Sequence, residues 1–273
     1  MKNMDRIFLL WQSNIARKWH TIGCLSKKGE KYLFNYVNGL KAAQNEGFSL
    51  IYEFPEKYAM YISNSLPSFF QNRLLSRNRP EFNQYLNWAN ISGMSKLSDL
   101  ELLTHRFARR IDDQYMLFRT PEKINEEYSI NFFIHGARYR SEVKYENLIE
   151  DNVTTLSLEA EFDNEYDDHA TLIYINSDDL FGKKYLGYVP RFLSEDIRYL
   201  MTQTKLNLEI EKINLSPTPY RYRCLVSLKC KWPNSFRPFE GDKFIGLLKK
   251  PHVEQADNSI PETPALFPEI KTN

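Results

Sequence analysis

Glycine is scarce in this sequence, with 10 among 273 residues, about half of the usual share of roughly 7%. Neither GxGxxG nor GxxxxGK(S/T) occurs, so the chain lacks the two common glycine-rich loops that cradle phosphate groups. The G-x-S-x-G elbow of serine hydrolases is also absent. These absences exclude the ordinary dinucleotide-binding, P-loop and α/β-hydrolase classes, and we expect no cofactor.

Cysteines and long apolar runs are few as well. Three cysteines (Cys24, Cys224 and Cys230) cannot form a disulfide framework, which favours a reducing compartment. Cys224 and Cys230 lack the CxxC spacing of zinc ligands, so we expect core cysteines and no metal site. Near the N-terminus only five apolar residues, Ile7 to Trp11, are consecutive, too few for a signal-peptide core or a membrane span. We therefore expect a soluble, cytoplasmic protein.

Excess charge of one sign is nearly absent, with 36 basic and 35 acidic residues, but the charge is distributed unevenly. Residues 1–124 hold 18 basic and 11 acidic residues, whereas residues 125–250 hold 17 and 20. The basic residues of the first half include a secondary basic patch, defined as Arg73, Arg77, Arg79, Arg106, Arg109 and Arg110. This patch predicts contact with a nucleic-acid backbone or an acidic protein partner; a solvated helix face is the alternative.

The residue pattern changes near Thr120-Pro121-Glu122-Lys123, which predicts a boundary between two domains. Residues 1–122 combine strand and helix signals, including a capping box at Ser98-Asp-Leu-Glu101, and predict an α+β domain. Residues 251–273 contain four prolines and predict an extended or disordered tail.

Residues 125–250 are mostly strand-like, with one clear helix whose N-cap we place at Ser194. The strand candidates are residues 130–134, 154–162, 170–175, 206–213 and 224–231. Five strands and one helix in this length fit a small OB-like β-barrel, and the chain as a whole is predicted to be α+β.

Three blocks of residues follow one another in the second half: His135-Gly-Ala-Arg138-Tyr139, Asn164-Glu-Tyr166-Asp167-Asp-His-Ala170 and Leu186-Gly187-Tyr188-Val-Pro190-Arg191. This ordered set, within about residues 131–213, resembles the HIRAN domain family. That family occurs alone in bacteria and fused to fork-remodelling helicases in eukaryotes. The resemblance implies a modified OB-like barrel that binds the 3′ end of single-stranded DNA.

The resemblance implies a role in DNA binding for six residues. Arg138 and Arg191 offer positive charge to phosphates, and Tyr139 and Tyr166 offer aromatic faces to unstacked bases. Asp167 accepts a hydrogen bond from the terminal 3′-hydroxyl, and Tyr188 contacts sugar or phosphate. In the alternative, Tyr166 and Asp167 are structural, and Asp167 caps backbone amides of the turn before a strand.

The first half resembles, more distantly, the N-terminal lobe of HipA-like kinases. The likeness lies in Tyr32-Leu-Phe-Asn-Tyr36, Ser65-Leu-Pro67 and Phe69-Phe70-Gln-Asn72-Arg73-Leu74, and in the predicted Leu97–Leu103 helix. No kinase catalytic loop or metal-binding motif follows. The resemblance therefore implies a surface for a protein partner, without kinase activity.

Together these observations predict a non-enzymatic protein that binds single-stranded DNA or DNA 3′ ends. The first alternative is a protein-interaction module that regulates a HipA-like or defence system. The second is a metal-dependent nuclease, in which Glu122 and Glu142 hold Mg²⁺ and Lys144 orients water.

Overall fold

The computed structural model describes residues 6–74, 76–91, 98–104, 114–121, 123–139, 144–176, 182–248 and 253–254. The strands are β1 (Arg6–Gln12), β2 (Trp19–Lys28), β3 (Lys31–Tyr36), β4 (Tyr61–Ser63), β5 (Tyr115–Arg119), β6 (Lys123–Ile124), β7 (Glu127–Phe133), β8 (Thr155–Ala160), β9 (Thr171–Asn176), β10 (Lys183–Tyr188), β11 (Asn207–Ile213), β12 (Cys224–Lys231) and β13 (Val253–Glu254). The α-helices are α1 (Leu40–Asn45), α2 (Ser68–Gln71), α3 (Pro80–Trp88), α4 (Asp99–Thr104), α5 (Tyr145–Glu150) and α6 (Arg191–Gln203). Among the described helices, none combines the length and the apolar character that a membrane crossing requires.

The first half is built on a six-stranded sheet with the order β13-β4-β3-β2-β1-β5. Neighbouring strands are antiparallel, except that the short β13 pairs in parallel with β4. Strand β13 belongs to the predicted C-terminal tail, and the other tail residues lie outside the described part of the chain. The tail thus returns to the edge of the N-terminal sheet.

The second half is built on a seven-stranded antiparallel sheet with the order β10-β9-β8-β11-β12-β7-β6. The predicted closed barrel is not confirmed, because the two edge strands, β10 and β6, do not pair with each other among the described residues. The sheet nevertheless curls back on itself. His135, just beyond β7, forms an isolated bridge with Tyr188 at the end of β10.

Strand β1 is buried on both faces, which explains the five-residue apolar run at the N-terminus. Ile7, Leu9 and Trp11 belong to a core within the first half, whereas Phe8 and Leu10 belong to a core shared with the second half. Successive side chains of a strand point to opposite faces, so a strand covered on both sides has no polar positions.

The shared core joins the two halves through aromatic rings. The Phe118 ring stacks on that of Phe192, with centroids 4.8 Å apart, and also lies 4.8 Å from the ring of Phe239. The ring of Phe8 lies 5.0 Å from that of Phe244. Each such pair contributes about 0.5–1.5 kcal/mol beyond its area burial. The division into domains 1–122 and 125–250 stays a prediction, and any separation of the halves exposes these rings.

Helix α6 begins earlier than predicted. Its N-cap is Pro190 and its first residue is Arg191, so the predicted N-cap at Ser194 is wrong. The hydroxyl of Ser194 instead donates to the carbonyl of Pro190 over 3.3 Å, and Ser194 is fully buried. A serine inside the first turn is also free to bond back to the preceding turn, so it does not by itself mark a helix start.

The prediction of one helix in the second half is also wrong, because α5 is a second one. It forms because Tyr145 and Leu148, three residues apart, bury one face of a short helix in the shared core. The capping box of α4 is confirmed: the hydroxyl of Ser98 accepts from the NH of Glu101 over 3.3 Å. The Ser98 NH donates to the Glu101 carboxylate over 2.7 Å.

Candidate nucleic-acid interface

The first and third sequence blocks meet where the end of β7 bridges to the end of β10. The NH of His135 donates to the carbonyl of Tyr188 over 2.9 Å, and the NH of Tyr188 donates to the carbonyl of His135 over 2.8 Å. Gly187 permits this approach, because its φ is +151° and a Cβ there would lie 2.2 Å from the His135 carbonyl oxygen. The glycine of the third block is therefore a backbone requirement of the bridge.

Arg138 and Tyr139 lie on an exposed 3₁₀ turn, Ala137–Tyr139, directly after this bridge. The Arg138 guanidinium lies 4.5 Å from the centroid of the Tyr139 ring and donates a hydrogen bond to its hydroxyl. The Tyr139 residue is 72% exposed. An exposed ring beside a cation is suited to stack on a base and to contact its phosphate.

The second sequence block forms a tight turn that Asn164 organises. Its Oδ1 accepts hydrogen bonds from the NH groups of Tyr166 and Asp167, both over 3.0 Å. Oδ1 of Asp167 in turn accepts from the NH of His169 over 3.0 Å. Tyr166 is left 60% exposed. The capping role considered for Asp167 is thus present, and it engages one oxygen of the carboxylate.

The other oxygen of Asp167 faces α6. Oδ2 lies 4.0 Å from Nε of Arg191, and the two side chains are only 16% and 21% exposed. Burial lowers the pKa of Arg191, while the negative charges of Asp167 and Asp168 oppose that shift. Electrostatic interactions are stronger in such a shielded place than in water. A hydroxyl or phosphate that arrives here meets a carboxylate oxygen and a guanidinium together.

Glu161 links the turn to the bridge, and sequence reasoning missed it. The hydroxyl of Tyr188 donates to its Oε1 over 3.3 Å, and Nδ2 of Asn164 donates to its Oε2 over 2.6 Å. From α6, Arg198 donates to the carbonyl of Ala170 over 3.1 Å and so anchors the end of the turn. Glu161 and Arg198 have no motif of their own, because each acts through partners distant in sequence.

Three of the six predicted residues, Tyr166, Asp167 and Arg191, line one cavity of about 290 Å³. Side chains of the first half, including Lys18 and Trp19, line the same cavity.

The other three predicted residues, Arg138, Tyr139 and Tyr188, do not line this cavity. They belong to the surface around the His135–Tyr188 bridge. The six residues therefore fall into two groups, which Glu161 and Asn164 connect through hydrogen bonds.

The secondary basic patch is only partly described. Arg73 donates to the carbonyl of Phe69 over 2.5 Å, and its guanidinium lies 3.7 Å from the Phe69 ring centroid. Arg77 pairs with Asp99 at 3.7 Å, and Arg79 is exposed at the N-cap of α3. The remaining members lie outside the described residues: Arg106, Arg109 and Arg110. A nucleic-acid contact of this patch stays a prediction, and Arg73 and Arg77 already have partners within the protein.

The part of the chain that the structure describes offers no cluster of side chains for a metal ion. Within the described ranges, no group of three or more His, Cys, Asp or Glu side chains could hold a metal ion. Glu122 and Glu142 of the nuclease hypothesis lie outside those ranges. Cys224 and Cys230 are buried and free, as expected for core cysteines, and burial raises the pKa of the Cys224 thiol to about 12. Zinc binds the thiolate, which this environment disfavours.

One comparison with known protein families matches the second half of the chain. The family model of the HIRAN domain matches residues 127–232. Among solved structures, the chain is similar to the HIRAN domain of human HLTF, at 17% sequence identity over 37% of this chain and 72% of that chain, with a TM-score of 0.25. No curated protein matches the chain. These comparisons do not support the predicted HipA-like lobe. The three sequence blocks all fall within the matched region, and residues 127–232 of this chain are a HIRAN domain.

Proposed function

We propose that this protein binds nucleic acid through its HIRAN domain, and that its ligand is the 3′ end of single-stranded DNA. The observation that supports this most directly is the cavity lined by Tyr166, Asp167 and Arg191. It brings an aromatic face, an acceptor and a cation to one place within the matched region. These are the three groups that a base, a terminal hydroxyl and a phosphate require.

The terminal nucleotide occupies this cavity in the proposal. Its base stacks on Tyr166, and its 3′-hydroxyl donates to Oδ2 of Asp167, the oxygen that the His169 NH does not use. Arg191 neutralises the adjoining phosphate. A base stacked on one aromatic side chain contributes roughly 1–3 kcal/mol.

The preceding nucleotide follows the surface of the bridge. There the Tyr139 ring is exposed for stacking, and Arg138 lies beside it for a phosphate. The Tyr188 hydroxyl donates to Glu161, so a sugar or phosphate contact of Tyr188 requires that hydrogen bond to be shared. We propose binding without catalysis, since each residue assigned here contacts the ligand and none has a role in bond cleavage.

Fluorescence anisotropy with the full chain tests this proposal. We expect a labelled single strand of about ten nucleotides to bind more tightly than a blunt duplex of the same length. If two or three phosphates are neutralised, log K against log salt falls with a slope of about −1.4 to −2. No binding at high micromolar protein, or a response independent of salt, contradicts the proposal.

Arg138→Ala supplies the matched variant, because Arg138 is exposed and its loss leaves no buried group unpaired. Lys205→Ala is its control, an exposed cation beyond the opposite end of α6 from Arg191. We expect Arg138→Ala to weaken binding and to reduce the salt slope by about 0.7, whereas Lys205→Ala leaves both unchanged. Equal effects of the two variants would indicate non-specific attraction to the whole surface.

A further inference from the structure

The cavity proposed for the terminal nucleotide has a second wall that lies outside the HIRAN domain. Lys18, Trp19 and His20 of the first half line it, together with Lys243 from beyond the matched region. Resting on the proposed function, we propose that the DNA site is composite: the N-terminal sheet closes over the terminal nucleotide, and Lys18 contacts a phosphate of the bound strand.

The turn that carries Lys18 is held by hydrogen bonds within the chain. The NH of Ser13 donates to the carbonyl of Lys18 over 2.9 Å, so the turn is closed across its base. The buried Ser13 hydroxyl accepts from the NH groups of Ile15 and Ala16, each over 3.2 Å. Strand β2 starts directly afterwards at Trp19 and pairs with β1. Lys18 and Trp19 are therefore presented by a fixed turn, which reduces the entropy lost on binding.

The two walls are tied together by residues that also line the cavity. The NH of Gly39 donates to the carbonyl of Lys243 over 3.0 Å, and the Lys243 ammonium pairs with Glu195 of α6 at 2.5 Å. A Cβ on Gly39 would lie 2.2 Å from the carbonyl oxygen of Thr21 and 3.3 Å from that of Lys243. The backbone at this position can therefore approach both segments only if the residue is glycine. The N-terminal sheet and α6 thus share a connection that fixes the cavity between them.

Three of the basic side chains that line the cavity lie within 4.0 Å of a carboxylate, and Asp168 adds a further negative charge to the lining. Arg191 faces Asp167, Lys243 faces Glu195, and His20 faces Glu46 at 3.0 Å.

Lys18 is exposed and forms no ion pair with the residues that the structure describes. Its charge acts on Glu46 from a distance, but a phosphate that arrives at Lys18 has no direct ion pair to displace among the described residues. Lys18 is therefore the cation on the N-terminal wall best placed to receive one.

The size of the cavity agrees with a single nucleotide. Its volume of about 290 Å³ lies just below the usual range of ligand pockets, about 300–1,000 Å³, so it has room for one small group only. A duplex end is too large for such a space. Aromatic side chains stand on both walls, Trp19 on one and Tyr166 on the other. A terminal base enclosed by both walls is shielded from water, and its phosphate is left at the rim beside Lys18.

Charge variants of Lys18 in the full chain test this inference by anisotropy with a 3′-hydroxyl single strand. We expect Lys18→Gln to reduce the salt slope by about 0.7 and to weaken binding about fivefold at 0.1 M salt. Lys18→Arg keeps the charge and should retain the slope. The matched control is Lys28→Gln, an exposed lysine about 30 Å away at the other end of β2. Thermal melts of each variant report whether the fold is kept.

The outcomes separate this inference from the proposed function. If the wild type binds and Lys18→Gln behaves like Lys28→Gln, the N-terminal wall takes no part and the inference is overturned. If the wild type does not bind any strand, the proposed function fails and the composite site fails with it. A loss with Lys18→Gln that Lys18→Arg restores supports a phosphate contact.

Discussion

The carboxylate of Asp167 lies 4.0 Å from Nε of Arg191, with both side chains largely shielded from solvent. This pair couples the turn of the second sequence block to the first residue of α6. The two groups favour different strand ends. The carboxylate accepts a hydrogen bond from a hydroxyl and repels a phosphate, whereas the guanidinium attracts a phosphate. In the proposed function, their balance sets whether a 3′-hydroxyl or a 3′-phosphate end is bound.

Asp167→Asn is expected to narrow the difference in affinity between 3′-hydroxyl and 3′-phosphate strands. The amide keeps an oxygen for the His169 NH, so the turn is retained. Removal of the negative charge frees Arg191, and binding of the 3′-phosphate strand should therefore tighten. Anisotropy with the two strands measures the ratio. An unchanged ratio would make Asp167 a turn residue without a part in recognition.

Gly187→Ala is expected to lower the free energy of unfolding by at least about 2 kcal/mol. The new Cβ would collide with the His135 carbonyl, and the φ of +151° is unfavourable for alanine. Each kcal/mol corresponds to about 2–4 °C in Tm for a chain of about this size. Thermal melting followed by circular dichroism measures the shift.

Gly29→Ala is the control for this prediction. Gly29 also has a positive φ, +61°, but a Cβ there meets nothing within 4 Å. The difference between the two variants isolates the collision at the bridge from the backbone strain. Equal losses would show that the His135–Tyr188 bridge adjusts without cost.

The stability of the protein is expected to depend on pH through Asp196 of α6. Burial raises the pKa of this carboxyl from 3.8 to about 7, and Glu195 adds to the rise, while the Phe239 NH and Lys243 oppose it. The folded state therefore binds more protons than the unfolded state between these values. The stabilisation is fully present below about pH 4 and is lost as pH rises through about 7; its upper limit is about 4 kcal/mol.

Asp196→Asn tests this dependence, because the amide mimics the protonated acid. We expect the variant and the wild type to melt alike at pH 4, and the variant to melt several degrees higher at pH 8. Glu209→Gln is the control, since Glu209 is exposed and is not among the groups that shift the pKa of Asp196. A constant difference in Tm across this pH range would contradict the assignment to Asp196.

A chain that begins at Asn125 is expected to fold, as the change of pattern near Thr120–Lys123 predicts, but to melt at a lower temperature than the full chain. Its loss of stability follows from the rings of Phe192 and Phe239, which lose Phe118 as a partner. Circular dichroism should show a β-rich spectrum and a cooperative melt. An aggregated or non-cooperative product would show that the first half completes the core.

The HIRAN blocks could be found in the sequence because several of their residues have local structural roles. Gly187 provides a backbone conformation that other residues rarely adopt, and Asn164 bonds to the amides two and three residues ahead. Such roles involve one residue or residues close together in the chain, so they are visible as a motif in the sequence.

Other features could not be predicted because they depend on contacts between distant segments. Strand β1 has no alternation, since each face meets a different core. Glu161 connects Tyr188 to Asn164 only after the sheet has formed. The cavity wall at Lys18 arises from the packing of the first half against α6, which no local pattern reports. The sequence pattern does not indicate the edge strand β10, because its apolar positions are few and a bulge interrupts them.

The most direct test of this account is a paired titration of the full chain with two single strands that differ only at the end, a 3′-hydroxyl and a 3′-phosphate. A charge-assisted hydrogen bond to Asp167 is worth roughly 1.5–3 kcal/mol, and a phosphate in its place meets repulsion. The account predicts that the 3′-hydroxyl strand binds at least about tenfold more tightly, a difference of about 1.4 kcal/mol. Equal affinity for the two strands, or preference for the phosphate, would contradict it.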